Sequence, residues 1–442
     1  MLHSGRAERL VARARRATEA TVRRALTPRL ERAGRAVVGW LQRTPAYLAV
    51  AAACVVCALI ALDMAVVTDQ TAHRIWGVLA AAGYLVAGVV TLHSRRPITG
   101  VRVAAAGSVL LPTVVLVVAG ISQPEVGVVE RSAQLLVQTG SPYLAHPTAT
   151  YDVNPYLPLM SLFGLPRLVL PHNALGDPRW WFLLVFVVCF VAADRLARRG
   201  RHSEAALWAV LAFPVVALHA SVGGHDLPVI GLLCLSIALA ARGRWSQAGL
   251  LLGVACALKA SAWPAVAVVF ALVVARYGWR HAGRFAATAA AVVVGTVLPL
   301  LVGPGAGAMV AQAAGFPMAA SGIASPAATP TPGVLLAHGG HVARLAGYGL
   351  MLLVAGALVV WLVRRPPRTL ASAAGFLALA LTAAALVLPT SRGGYAVYPV
   401  VLLVLALRAR RRPGGPLVTP QPWSAMRPAP LVPALAGESQ RR

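Results

Sequence analysis

The sequence predicts an all-α polytopic membrane protein: a bundle of about twelve transmembrane helices with an outer-face loop carrying interfacial helices. Three observations predict the membrane bundle. Only 12% of the 442 residues are charged while 58% are hydrophobic, and the mean hydropathy is +0.72, so there are too few charges to clothe a soluble surface. Apolar runs of near-span length recur from Ala46 to Leu407. Basic residues fall in short clusters between those runs, with 33 of the 40 on alternate connections.

Residues 1–45 form a basic segment whose Leu10, Ala14, Ala17, Leu26 and Leu30 recur at roughly helical spacing. That spacing suits a helix lying on an anionic inner leaflet, and the composition equally suits a disordered basic tail. The region is too long for a cleavable signal, so the first apolar run acts as a retained span. The twelve runs are 46–67, 75–92, 103–121, 180–196, 205–220, 227–241, 247–259, 263–276, 285–302, 345–363, 370–388 and 395–407, the seventh and eighth being one run bent at Trp263-Pro264. The transmembrane domain therefore covers 46–407, and 408–442 is a basic, proline-rich tail expected to be disordered.

The formal charge of +27 invites a nucleic-acid reading, but the arginines mark topology rather than one basic face, so no nucleic-acid partner is expected. Both termini then lie in the cytoplasm, in a multi-pass protein of the plasma membrane whose partners include membrane lipids. All five cysteines (Cys54, Cys57, Cys189, Cys234, Cys256) fall in apolar runs, which suggests neither disulfides nor zinc. Asp152-Val-Asn154, the nearest approach to a paired-carboxylate metal motif, has one carboxylate, and no phosphate-binding loop or dinucleotide fingerprint is present. No metal and no cofactor is expected.

This topology puts two long loops on the outer face, 122–179 and 303–344. The first holds four of the thirteen acidic residues. Ser122-Gln-Pro-Glu125 has capping-box spacing and opens an amphipathic helix that Gly140 ends, so Glu125 is either a cap or a carboxylate presented to a lipid-borne head group. The second loop is rich in Gly, Pro and Ala, and is a lid or a plain connector. Three further outer-face clusters follow. "HASVGGHD" ends in His225 and Asp226; Lys259 is the only lysine in the chain; "PTSRGGYAVYP" contains Arg392 and Tyr395. Lys259, Arg392 and His225 suit an anionic phosphate, although each taken alone also fits a snorkelling or capping role.

Together, "ERSAQLLVQTGSPYL", "YDVNPYLP" and "GGHDLPVIGLLCLSIALAARGRWSQAGLLLGVACALKASAWP" resemble the GT-C integral-membrane glycosyltransferases. Within them the chain is similar to glycosyltransferase family 87, the polyprenyl-phosphate-mannose-dependent mannosyltransferases of actinobacterial type, over roughly residues 122–276. The resemblance implies an outer-face Asp as general base and a polyprenyl-phosphate sugar as donor substrate. The position of that Asp falls on Glu125, a longer carboxylate, and the loop follows the third span, which implies two additional N-terminal spans or a distinct subfamily. It further implies an inverting hexosyl transfer, of mannose or a related sugar, to an extracytoplasmic glycan, lipid or protein. One carboxylate suffices because polyprenyl phosphate leaves without an acid. Lys259, Arg392 and His225 would hold the donor phosphate. Glu130, Tyr143, Asp152, Asn154, Tyr156, Asp226 and Tyr395 would contact sugar or acceptor, Tyr143, Asn154 and Tyr156 being equally suited to anchoring the loop. The rival readings are a non-catalytic transporter or flippase for lipid-linked glycans and an envelope-assembly partner. A transporter should carry its coupling charges at the bilayer midplane, whereas the polar clusters here fall at the outer ends of spans.

Overall fold

A computed structural model describes residues 44–171, 173–198, 204–303, 305–326 and 329–410. The expectations for the basic N-terminal segment and for the tail after residue 410 lie outside the described residues. Within them every regular element is helical. The principal helices are α1 (Ala46–Val67), α2 (Thr71–Ser94), α3 (Pro97–Val118, with a π-helical stretch at Ala106–Leu110), α4 (Pro124–Thr139), α5 (Pro178–Ala197), α6 (Glu204–Leu211) and α7 (Pro214–Val222). They continue with α8 (Asp226–Ala241), α9 (Trp245–Leu258), α10 (Trp263–Tyr277), α11 (Trp279–Leu301), α12 (His341–Arg364), α13 (Leu370–Val387) and α14 (Val397–Ala409).

Each of the twelve expected apolar runs is helical, but among the described residues only eight helices are long and apolar enough to cross a membrane. These are α1, α2, α3, α5, α10 with its 3₁₀ lead-in, α11, α12 and α13. A ninth span results if α6 and α7 count as one, although they meet at a 72° bend. The bend has a local cause. Pro214 occupies the first turn of α7 and has no N–H to continue the ladder, and the Ala212 carbonyl at the bend accepts from Tyr84 of α2 at 2.7 Å. The remaining runs, α8, α9 and α14, are 16, 14 and 13 residues long. At ~1.5 Å per residue α8 reaches about 24 Å, short of a ~30 Å hydrocarbon core. It need not reach further, because 15 of its 16 residues are buried, packed among α5, α9, α10, α13 and α14 rather than against lipid.

The break between the seventh and eighth runs comes at Lys259, not at Trp263-Pro264. Lys259 is extended (φ −157°, ψ 140°), Ala260–Ala262 form a 3₁₀ turn, and Pro264 sits in the first turn of α10. The capping box at Ser122 is also absent: α4 is capped at Gln123 without a side-chain bond, and Glu125 turns inward. The other end of α4 is as the sequence implies, with Gly140 in the left-handed region (φ 76°) and its N–H on the Leu136 carbonyl. All five cysteines are free thiols, four of them buried.

The connections sort to two ends of the bundle. At one end the backbone of Gln123 donates to the Val222 carbonyl (2.8 Å) and that of Leu157 to the Leu258 carbonyl (3.0 Å). The loop after α11 straps across the same end: Gln312 accepts from the Asn154 N–H (2.9 Å) and donates to the Leu144 carbonyl (2.7 Å), while Thr390 donates to the Pro317 carbonyl (2.7 Å). At the opposite end Arg408 pairs with Asp194 at 2.8 Å and Arg102 with Glu204. Those are the ends that alternating spans require of these connections.

Candidate active site

Where the loop-bearing end meets the bundle, two ion pairs are tucked under the first long loop. Asp226 opens α8, where the unpaired N–H groups of the first turn favour a carboxylate. The Asp226 side chain is buried and both its oxygens are engaged: Oδ1 accepts from Lys259 Nζ at 2.6 Å and from the Tyr398 hydroxyl at 2.5 Å, and Oδ2 lies 3.2 Å from His225 Nε2. Tyr398 is in turn hydrogen-bonded to Ser261 at 2.7 Å. The Lys259 ammonium also stands over the rings of Tyr156 and Tyr395, 5.6 Å and 5.2 Å from their centroids. Lys259 can sit there because the break after α9 aims it into the aromatic and acidic cluster.

The second pair joins Glu125, in the first turn of α4, to Arg392, in the turn before α14. Glu125 is buried and uses only Oε1 for the guanidinium; Oε2 is shielded from solvent and has no hydrogen-bond partner among the described residues. Burial pushes this carboxyl up, but the charge of Arg392, followed by that of His225 and the Arg392 hydrogen bond, outweighs it and holds Glu125 below the usual carboxylate value. Burial weakens the Arg392 cation, and Glu125 more than offsets that, raising it. Burial likewise drives the Tyr156 phenol well up, so that hydroxyl stays protonated.

Histidines lie between the pairs. The His225 and Tyr156 rings are 5.1 Å apart, and His225 Nδ1 has no partner among the described residues. Nδ1 of His219 lies 2.8 Å from the Val215 carbonyl, which makes Nδ1 the protonated nitrogen. Its Nε2 leaves no room at residue 394: a Cβ on Gly394 would come within 2.7 Å of it, so the turn carrying Arg392 needs glycine there.

Of the residues singled out in the sequence, Glu125, Tyr156, His225, Asp226, Lys259, Arg392 and Tyr395 are thus gathered in one place. Tyr143 and Asn154 stand one layer back and shape the loop: Tyr143 donates to the Tyr156 carbonyl at 2.8 Å, and Asn154 accepts from the Tyr156 N–H at 3.1 Å and donates to the Pro142 carbonyl. Glu130 and Asp152 are elsewhere. Glu130 is half-buried and bound to Arg167 at 2.9 Å. Asp152 is exposed and ties its own turn, accepting from the N–H groups of Thr148 and Ala149, which lowers its carboxyl. Tyr398 and Ser261 were not singled out. Tyr398 follows Tyr395 by three residues, the spacing that puts two side chains on one helical face, so a signal for it was present. Among the described residues no three His, Cys, Asp or Glu side chains are placed to hold a metal ion.

Residues 173–276 match a family model, that of the MptA_B family, alpha-(1->6)-mannopyranosyltransferase, N-terminal domain. No curated protein and no solved structure matches the chain. The matched segment contains His219, His225, Asp226 and Lys259, and leaves Glu125 and Arg392 outside it. It bears out the resemblance to mannosyltransferases read from the sequence: over residues 173–276 the chain is similar to this alpha-(1->6)-mannopyranosyltransferase family.

Proposed function

We propose that the protein transfers a hexose, mannose on the family's evidence, from a polyprenyl-phosphate sugar to a hydroxyl of an extracytoplasmic acceptor, with inversion and with Glu125 as general base. The observation that carries this reading is the contrast within one cluster between a carboxylate with both oxygens engaged and a carboxylate with a free oxygen. Asp226 is committed to protein partners through both oxygens and serves as a positioning residue that fixes Lys259 and Tyr398. Glu125 is ionised near neutral pH and keeps Oε2 unengaged, which is what a base needs in order to meet a hydroxyl.

The chemistry balances without an acid. The acceptor oxygen bonds to the anomeric carbon as the bond from that carbon to the phosphate oxygen breaks. The bonding pair leaves on the polyprenyl phosphate, and the hydroxyl proton passes to Glu125 Oε2. Lys259 and Arg392 supply the positive charge that steadies the departing phosphate. Arg392 is the more accessible cation, its side chain 31% exposed against 10% for Lys259, so an entering phosphate meets it first. Drawing Arg392 toward phosphate loosens its hold on Glu125 and leaves that carboxylate more basic at the moment it is needed.

All four charges stand at helix ends or in turns rather than in mid-span, which favours a transferase over a transporter that carries charge through the midplane. The decisive experiment reconstitutes the purified protein in liposomes with radiolabelled polyprenyl-phosphate mannose and an octyl α-(1→6)-dimannoside. Label appearing in the glycoside supports the reading. Donor consumption with no glycosidic product, or no consumption at all, overturns it.

A further inference from the structure

We infer that His73, on the N-terminal hairpin α1–α2, is an acceptor-binding residue: it holds a sugar hydroxyl next to the one that meets Glu125, so the acceptor is a pyranoside offering two neighbouring hydroxyls. The inference rests on the transferase reading and adds to it a residue from outside both the matched family segment and the loops.

Three buried polar atoms of this region lack any hydrogen-bond partner among the described residues: Glu125 Oε2, His225 Nδ1 and His73 Nδ1. A buried polar atom left unpaired costs about 1–3 kcal/mol, so three in one neighbourhood are a standing demand for a ligand that both donates and accepts. Sugar hydroxyls do both. His73 belongs to that neighbourhood by its placement. On α2 it continues the buried face formed by Gly77, Ala80 and Tyr84, at spacings of four, seven and eleven. That face bears on the bent pair α6–α7, since Tyr84 reaches the Ala212 carbonyl. Two turns further out, Trp76 of α2 and Ser221 of α7 share the Ser108 carbonyl, at 2.9 and 3.4 Å. The next residue toward the loop end on that face is His73, and the charges of both His219 and Glu125 act on its ring.

The donor does not account for His73. Phosphate is drawn to the cations, and Arg392 and Lys259 provide them on the side of Glu125 toward α9 and α14. An imidazole with an unpaired buried nitrogen is suited to a hydroxyl instead, accepting at one nitrogen or donating at the other as the partner requires.

The test measures equilibrium binding of octyl α-(1→6)-dimannoside to the purified full-length protein without donor, for the wild type, His73→Ala and His73→Gln. The wild type should bind; His73→Ala should weaken binding about tenfold; His73→Gln, which keeps one donor and one acceptor, should recover part of the loss. In the transfer assay the acceptor KM should rise with little change in the donor KM. Equal binding by wild type and His73→Ala, no binding by the wild type, or failure of both variants to fold overturns the assignment, the last by making His73 part of the frame. Glycoside binding that depends on His73 without any transfer would overturn the transferase reading and leave the acceptor site standing.

Discussion

Two ion pairs share one site and differ in nearly every physical respect. Asp226–Lys259 is sealed: both side chains are at most 10% exposed, and the carboxylate receives a lysine, a tyrosine and a histidine. Glu125–Arg392 is unfinished: the arginine is part-exposed and one carboxylate oxygen is empty-handed. Charges sealed in this way can neither exchange partners nor meet substrate without leaving a buried charge alone, so the first pair is a frame. In the second only the arginine can turn to water or phosphate, and the buried carboxylate it leaves is then open to the acceptor hydroxyl. The difference separates holding from working inside a single cluster.

The largest effect should come from breaking the frame. Asp226→Ala strands Lys259 in a buried site and should lower stability by about 3–5 kcal/mol, read as a fall in the unfolding midpoint in detergent together with loss of all transfer. Adding Lys259→Met to Asp226→Asn should return part of that stability relative to the single variants, since the coupling lies in the pair. Additive losses in the double variant would show that the two residues do not act as one unit.

Glu125→Gln tests the working pair. The amide can still accept from Arg392 but cannot take a proton, so transfer should fall by about 10²–10⁴ with the unfolding midpoint nearly unchanged. Turnover close to wild type would make Glu125 a structural partner of Arg392. Arg392→Ala should cost somewhat less, roughly 10²–10³ in turnover, and should also displace the pH profile. With Arg392 in place Glu125 titrates below its ordinary value of 4.5, so its charge, and the stability the pair contributes, persist above that value and are lost only as pH falls through the lowered pKa. Removing the guanidinium leaves burial as the dominant influence, so the acid limb of the rate profile should move to higher pH. An unmoved limb would mean that a group other than Glu125 governs it. The smallest effect is expected at Asp152, whose side chain only ties an exposed turn: Asp152→Asn should leave turnover and melting unchanged within measurement scatter.

Much of this was legible in the sequence. Composition and basic clusters gave the membrane class, and the polar clusters at span ends marked Glu125, His225, Asp226, Lys259 and Arg392, because a charge beside an apolar run must find a partner. Which partner it finds is a long-range fact. Asp226 and Lys259 are 33 residues apart, and Glu125 and Arg392 267, and no local pattern states either pairing. Local rules misplaced two features for the same reason. Ser122 to Glu125 has the spacing of a capping box, yet an arginine delivered by tertiary packing offers Glu125 a better bond than the helix terminus does. Helix length was the other, since α8 is too short for a lone span and is stable because protein surrounds it, a property of its neighbours rather than of its own residues. His73 escaped notice because it sits just ahead of the apolar run 75–92, beside Arg74 in a polar connection, and only the face it shares with Tyr84 gives it a direction.

The reach of the Tyr398 hydroxyl to Asp226 also sets an order on biosynthesis. The carboxylate enters the membrane at the head of α8, and the side chain that completes its shell follows 172 residues later. Once Lys259 is made, Asp226 has it and His225 for company but no covering α14. A nascent chain stopped before Val397 therefore carries a buried acidic group that lacks one of its three partners. Completion of the last helix is what closes the centre, so the site assembles only after Tyr398 has been made.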